Sequence, residues 1–402
     1  MSKGGRSAKA AGKVSLAILI SRVLGLVREQ FFAKLFGASL YNDAWLVALR
    51  LPNLMRDLFA EGALSSAFVP TFTSHLKSGG RSEAWHLANL VVTALMILLG
   101  LVTVVLFLFS EFFVHGLAAG FAEVPGKVAI TSTLIKILSP FLLFVALASV
   151  AMGVLNTLNH YFIPALAPAL FNLTIILFAI FAAPAFEARG ILPIYAMGFG
   201  ALAGGLLQYA IQVPLLRKEG FRFRFSIDFK HPGIRRILRL LGPAIVGVSA
   251  VQINVLVNTQ LASFLQDNGP VSWLSYAFRI IYLPIGLFGV AVGIVNLKEV
   301  SSHAARKEFN ELKETVANSL KLVAFLAVPS TVGLVVLANP IVDVLFERGD
   351  FLARDTEFTS YALMAYSLGL FAYSCLKVYV PTFYALNDTR TPVRISLTAV
   401  AV

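Results

Sequence analysis

The chain has 402 residues, of which 58% are hydrophobic and only 13% charged, about half the roughly 25% charged share of soluble domains. So few polar residues cannot cover a water-soluble fold of this length, and the net charge of +12 has to be read by position before it suggests a nucleic-acid groove. The single cysteine, Cys375, excludes an internal disulfide framework and a multi-cysteine metal site.

A membrane-spanning helix needs about 20 mainly apolar residues. Runs of this kind predict spans at 14–36, 43–75, 85–111, 130–157, 162–184, 191–216, 242–265, 271–297, 315–337 and 356–385, with an eleventh beginning near 393. The chain therefore reads as an all-α polytopic membrane protein, since β-barrel alternation is absent. The first span is too long and too charged for a cleaved signal peptide. Taking the odd-numbered gaps as one side, twenty Lys and Arg residues fall there. Only Lys127, Arg189, Arg348 and Arg354 fall on the other side. This positive-inside bias puts the N-terminus in the cytoplasm, and makes most of the basicity a topology signal. The basic loop Arg217–Arg239 also offers a contact for anionic headgroups.

The chain repeats itself. Ser139, Leu158, Asn159 and Pro164 recur as Ser367, Leu386, Asn387 and Pro392, each 228 residues later, and the same offset lays the first span over the seventh. Six spans separate the copies, so they enter from the same side. Parallel repeats of this kind are one architecture of alternating-access transporters. The expected organisation is an N-terminal lobe at 1–220 with spans 1–6, and a C-terminal lobe at 221–402 with spans 7–11. A complete second repeat would extend past Val402, so the sequence is expected to be C-terminally truncated.

Nine cations fall within spans: Arg22, Arg28, Lys34, Arg50, Arg56, Lys136, Arg279, Lys321 and Lys377. Four anions accompany them, namely Glu29, Asp43, Asp57 and Glu61. An arginine at a helix centre costs at least about 2.5–3.5 kcal/mol to insert, so such residues face a cavity or a partner. Lys34, Lys136 and Lys321 are expected to snorkel or serve structure. Arg28, Arg56 and Arg279, with Arg22, are expected to line a pocket, because the guanidinium fork suits phosphate. Glu29 adjoins Arg28 and is expected to pair only through another helix or a bend. Asp43 and Glu61 are candidate ion-pair or gating residues; with Asp57 they could instead hold Arg56 structurally. Pro52 and Asn53 should kink the second span, and Gly62 with Ser65 and Ser66 gives a second weak point. Gly200-x-x-x-Gly204 and Gly289-x-x-x-Gly293 suit close helix packing. His75, His86, His115, His160, His231 and His303 show no ligand spacing, so no metal is expected. No nucleophile–base–orienter set is visible, which points away from an enzyme.

Ser21-Arg22-Val23-Leu24-Gly25-Leu26-Val27-Arg28-Glu29, Asn42-Asp43-Ala44, Leu51-Pro52-Asn53-Leu54-Met55-Arg56 and Phe59-Ala60-Glu61-Gly62 through Pro70 closely resemble the MurJ/MviN family of lipid II flippases, in the MOP transporter superfamily. Gly242-Pro243-Ala244-Ile245, Val271-Ser272-Trp273 and Asn387-Asp388…Thr391-Pro392 extend the likeness over nearly the whole chain. The resemblance implies two parallel-related six-helix lobes of the MOP fold around a central cavity. It implies flipping of the undecaprenyl-pyrophosphate-linked peptidoglycan precursor from cytoplasmic to periplasmic leaflet of the bacterial inner membrane. The family's cavity arginines fall on Arg28, Arg56 and Arg279, with Arg22 in its motif, and its acidic positions on Asp43 and Glu61. No organic cofactor is implied; energy would come from the membrane potential or a monovalent cation. Membrane lipids and cell-wall synthesis proteins are the implied partners, and nucleic acid is not. The sequence departs from the family at Phe278 and Tyr282, where acids are usual, and at Leu297-Lys298-Glu299, where leucine-proline-serine is usual. These departures leave two alternatives: a flippase for another polyprenyl-linked oligosaccharide, or a divergent paralogue that does not transport.

Overall fold

The computed structural model describes residues 3–56, 63–265, 267–386, 388 and 390–401. Among them every regular element is helical. In chain order these are α1 (Lys3–Phe36), α2 (Leu40–Ala48), α3 (Arg50–Arg56), α4 (Ala63–Ser78), α5 (Gly80–Leu108), α6 (Ser110–Leu117), α7 (Lys127–Leu138), α8 (Phe141–Thr157), α9 (Phe162–Leu177) and α10 (Ala183–Glu187). They continue as α11 (Pro193–Ala210), α12 (Val213–Lys218), α13 (Pro232–Ser263), α14 (Pro270–Pro284), α15 (Ala291–Arg306), α16 (Phe309–Val336), α17 (Ala338–Phe346), α18 (Ala353–Leu368), α19 (Leu370–Ala385) and α20 (Arg390–Ala401). Helices are the expected answer in hydrocarbon, because each satisfies its own backbone hydrogen bonds.

Six described helices are long and apolar enough to cross a membrane: Gly80–Leu108, Lys127–Thr157, Phe162–Glu187, Pro193–Lys218, Pro270–Arg306 and Phe309–Val336. A seventh is formed if α18 and α19, bent by 46°, count together. The sequence predicts ten; of the other three, the first coincides with α1, of 34 residues, and the seventh with α13, of 32 residues. The predicted second span is divided into α2, α3 and α4, and residues 57–62, including Asp57, Glu61 and Gly62, lie outside the described residues.

The first division falls at Leu49, three residues before Pro52. Pro52 has no N–H to give the Ala48 carbonyl, so the helix lapses for one residue. Leu49 N–H still bonds Trp45 O and Asn53 N–H bonds Leu49 O, both at 2.9 Å. The break is therefore a shallow offset that retains most of the ladder.

By packing, the chain falls into two compact units: Met1–Phe32 with Leu40–Gln266, and Ala33–Ser39 with Asp267–Val402. This division follows contacts, whereas the boundary at 220/221 follows the repeat; α13 packs on α4 within the first unit. The first unit's core joins Phe68 and Phe72 of α4, Leu87 and Leu99 of α5, and Val150 and Val154 of α8. The second unit's core joins Tyr276 and Ile281 of α14, Val323 of α16, Phe346 of α17 and Val378 of α19. Outside these cores apolar side chains point outward, as Leu101, Phe107 and Leu108 do on α5 and Phe325 and Val336 on α16. A bilayer, unlike water, imposes no cost on such a surface.

The repeat is visible in local structure. α8 ends at Thr157 and α19 at Ala385, the same position after the 228-residue shift. Leu158 N–H bonds the carbonyls of Val154 and Leu155, and Leu386 N–H those of Thr382 and Phe383. His160 N–H returns to Leu155 O at 2.8 Å, and Asp388 N–H to Phe383 O at 2.9 Å. Each turn thus closes with one hydrogen-bond pattern at matched positions.

Both glycine pairs mark close approaches. A Cβ at Gly200 would lie 2.8 Å from the Phe178 Cβ, and one at Gly204 3.1 Å from the Phe171 Cα, so α11 packs directly on the α9 backbone. A Cβ at Gly293 would lie 2.3 Å from the Lys377 carbonyl oxygen, whereas at Gly286 it would meet nothing within 4 Å. Gly293→Ala should therefore lower the thermal unfolding midpoint of the detergent-purified protein, by the about 1–3 kcal/mol typical of overpacking. Gly286→Ala should leave it within experimental error; equal effects would contradict the packing of α15 on α19.

Candidate functional site

In α1, Arg28 and Glu29 are neighbours in sequence and also partners. The Arg28 Nε donates to Glu29 Oε1 at 3.0 Å, and Nη2 donates to the same oxygen. The expectation that Glu29 needs another helix or a bend to reach Arg28 is corrected: both side chains are long enough to fold back along the helix surface. The third anchor comes from α9, where Asn172 Oδ1 accepts from Arg28 Nη1 at 3.0 Å while its Nδ2 donates to the Ser21 carbonyl at 3.1 Å. Phe171 lies under the guanidinium at 5.8 Å. A guanidinium has five N–H donors, and three are engaged here. The arginine is held in one orientation with donors in reserve. Asn172 escaped sequence reasoning, although it is the only side-chain amide between Phe162 and Pro184.

Arg22, six residues earlier, is exposed at an open cleft of about 460 Å³ between α1, α8 and α9. Ile18, Ser21, Met152, Asn156 and Tyr161 share its lining. This volume lies within the range of small-molecule sites, and its walls combine an apolar floor with a cation, an amide and a phenol.

Asp43 is buried on α2 and pairs with Lys127 at the start of α7, Nζ to Oδ2 at 2.9 Å. Their side chains are 0% and 2% exposed, and the ammonium also sits 4.2 Å from the Phe121 ring centroid. Counting loop charges assigns Lys127 to a solvent-facing gap; the structure corrects this to a buried ion pair joining α2 to α7. Two buried charges are tolerable only together, because desolvating either alone is expensive.

Arg56 is the last residue of α3, and its side chain lies outside the described residues, as do Glu61 and Gly62. Pro52 and Asn53 lie in the first turns of α3. Arg279 belongs to the second unit, exposed on α14. Around it, Phe278 lies tilted against Tyr282 at 5.8 Å and meets Tyr366 and Tyr373 edge-on at 6.0 and 6.5 Å. An aromatic cluster therefore occupies the positions where the resemblance expects acids. In the same unit, buried Asn296 donates to Thr382 Oγ1 at 3.1 Å and accepts from Ser319 Oγ at 3.0 Å, tying α15 to α16 and α19 one residue before Leu297-Lys298-Glu299.

At the end of the first unit that carries its basic gaps, Glu219 accepts from His160 Nε2 at 2.8 Å and pairs with Arg81 at 3.2 Å. The hydrogen bond from His160, ahead of the charges of His160 and Arg81, holds the Glu219 carboxyl below its ordinary 4.5. Three histidines of this end also meet: His75 and His86 lie 5.6 and 5.5 Å from His231, ring centre to ring centre. The fold thus joins histidines that lie far apart in the sequence.

A family model described as "Lipid II flippase MurJ" matches residues 32–402. The chain is 38% identical over 393 residues to the "Probable lipid II flippase MurJ" of Vibrio cholerae, covering 96% of this chain and 74% of that protein. It is 35% identical over 388 residues to the "Lipid II flippase MurJ" of Burkholderia cenocepacia, with the same coverages. Among solved structures it resembles "Lipid II flippase MurJ, inward closed conformation" with a TM-score of 0.82 at 32% identity, covering 96% of this chain and 79% of that one. It shares its fold with an inward-facing multidrug resistance MATE family transporter of the MOP superfamily, with a TM-score of 0.77 at 13% identity over 97% of this chain and 88% of that one.

Two outcomes follow from the ion pairs. Asp43→Asn should destabilise the protein by about 3–5 kcal/mol, since it leaves the Lys127 ammonium buried alone. Adding Lys127→Met should restore much of that loss; additive losses in thermal unfolding would show that the two residues do not depend on each other. A carboxylate held low stabilises the fold above its unfolded value and releases that contribution as pH falls through the folded one. Glu219→Gln should therefore flatten the decline of the unfolding midpoint below pH 4.5, and an unchanged acid limb would rule the contact out as a contributor.

Proposed function

Because the chain belongs to the lipid II flippase MurJ family, we propose that it moves the undecaprenyl-pyrophosphate-linked peptidoglycan precursor from the cytoplasmic to the periplasmic leaflet of the bacterial inner membrane by alternating access. The match along residues 32–402 carries this reading. The charge chemistry supports it: a pyrophosphate crossing hydrocarbon needs donors that are oriented in advance and charged at every pH. Arg28, fixed by Glu29 and Asn172 with donors in reserve, has that character. Arg56 and Arg279 are its proposed companions, and Arg22 at the cleft would meet the substrate on entry. The lipid tail would remain in contact with bilayer along the exposed apolar face of α1, where Leu16, Leu19 and Val23 point outward.

The chain acts as a carrier and forms no covalent bond in this reading. Asp43, Glu61 and Glu29 take ion-pair and gating roles, with Pro52, Asn53 and Gly62 as hinge positions. The break at Leu49 gives the hinge a physical basis, because a missing hydrogen bond lowers the cost of bending. The membrane potential or a monovalent cation supplies the drive. The basic gaps put the N-terminus in the cytoplasm, and cell-wall synthesis proteins are natural partners. The aromatic cluster at Phe278 favours one second reading, a flippase for another polyprenyl-linked oligosaccharide.

Complementation tests the assignment in a strain depleted of its own lipid II flippase. Expression of the gene with its natural C-terminus should restore growth, and lack of rescue by protein present in the membrane would sink the lipid II reading. Arg28→Ala, Arg56→Ala and Arg279→Ala should each abolish rescue. Losing one charged hydrogen-bonding group costs about 1.5–3 kcal/mol, roughly 10–100-fold in affinity. Normal rescue by all three variants would refute the arginine pocket while leaving the family assignment intact.

A further inference from the structure

We propose that His75, Glu83 and His231 form a binding site for a first-row divalent transition ion, with zinc the best match. The three residues sit at three helix ends of the first unit: the last turn of α4, the first turn of α5 and the N-cap of α13. One ligand atom from each lies within 4.8 Å of the others, the one such group of potential ligands among the described residues. Two imidazoles and a carboxylate are a common zinc donor set. Bond lengths near 2.1 Å would bring tetrahedral ligand atoms to roughly 3.4 Å apart, so closure needs side-chain shifts of about 1 Å.

The ring nitrogens are arranged for this. His75 Nδ1 lies 2.9 Å from the Thr71 carbonyl. A carbonyl only accepts, so Nδ1 carries the proton and Nε2 keeps its lone pair. Fixing a ligand histidine through its other nitrogen is the usual outer support of metal sites. His231 Nδ1 accepts the Gly233 N–H at 3.1 Å and is likewise free of a proton, so a metal there would replace the helix cap. Glu83 folds back over Gly79, where an added Cβ would lie 2.6 Å from its Oε2; the glycine makes room for the carboxylate. His86, on the same helix as Glu83 and 5.5 Å from the His231 ring, offers a fourth donor.

The bound ion would clamp the α4–α5 turn to the start of α13. This inference does not depend on the transported substrate.

The test uses the full chain in detergent, stripped with EDTA and titrated with Co²⁺ by visible absorption and with Zn²⁺ by thermal unfolding. Saturable one-to-one binding, a tetrahedral Co²⁺ band and a rise in unfolding midpoint of several degrees are expected. Glu83→Gln, at an exposed position, and His231→Asn, which keeps a capping side chain, should each weaken affinity at least roughly tenfold. His303→Ala should bind as the unaltered chain does. Absence of a metal-dependent signal, or unchanged affinity in both Glu83→Gln and His231→Asn, would overturn the proposal and leave the cluster as packing.

Discussion

A charge carried into hydrocarbon has to be answered by the protein that carries it, and this requirement organises the first unit. The Lys127 ammonium and Asp43 carboxylate answer each other at 2.9 Å, with almost no exposure. Neither position is tolerable alone, so the pair fixes α2 against α7. Arg28 is answered differently. One carboxylate and one amide hold it from two sides, which pins α9 to α1 through Asn172 and leaves guanidinium donors uncommitted. The closed pair joins two helices, and the partly engaged arginine keeps donors uncommitted. The contrast rests on how many donors each cation has: an ammonium facing one carboxylate is used up as a point charge, while a planar fork is not.

Close helix approach supplies the second constraint. With lipid on the outside, burial of apolar surface contributes little to association, and packing contacts must do more. Gly204 against Phe171 and Gly293 against Lys377 bring backbones together where any side chain would separate them. Pro52 does the opposite by deleting a hydrogen bond, and the helix lapses at Leu49. Close seams and a lapse in the helix thus both follow from what a residue lacks: a Cβ in one case, an N–H in the other.

Much of the fold was legible in the sequence because its signals are additive along the chain. Long apolar runs locate α5, α7 to α9, α11, α14 to α16, α18 and α19, and the 228-residue repeat anticipates the matched turns after α8 and α19. What failed depends on depth or on contacts between distant segments. Lys127 follows a Gly-Pro-rich gap and counts as a loop residue by position, yet it turns inward to Asp43. His75 and His231 are 156 positions apart, and only the packing of α13 on α4 joins them. Glu29 was misjudged by treating side chains as pointing radially, when two long ones can lie along the helix. For the candidate site, Arg28 was found from its charge in an apolar run, while Asn172 was missed because a neutral amide carries no comparable alarm.

The surroundings of Arg279 show how a departure from family pattern can be structurally coherent. Carboxylates at positions 278 and 282 would place negative charge beside the guanidinium on the same helix. Here Phe278 and Tyr282 occupy those positions, and Phe278 continues into contacts with Tyr366 and Tyr373 on α18 and α19. Rings satisfy the packing requirement without adding charge, so the contribution of α14 itself to the field near Arg279 stays positive. An anion is attracted by the sum of nearby charges, and removing two negatives raises that sum as effectively as adding cations. The rings therefore leave α14 without a carboxylate at these two positions and anchor it through aromatic contacts. In Arg28 the balance runs the other way, since Glu29 offsets part of its charge in exchange for a fixed orientation. The two arginines thus differ in their own helices: Arg28 has a carboxylate beside it in α1, and Arg279 has aromatic rings beside it in α14.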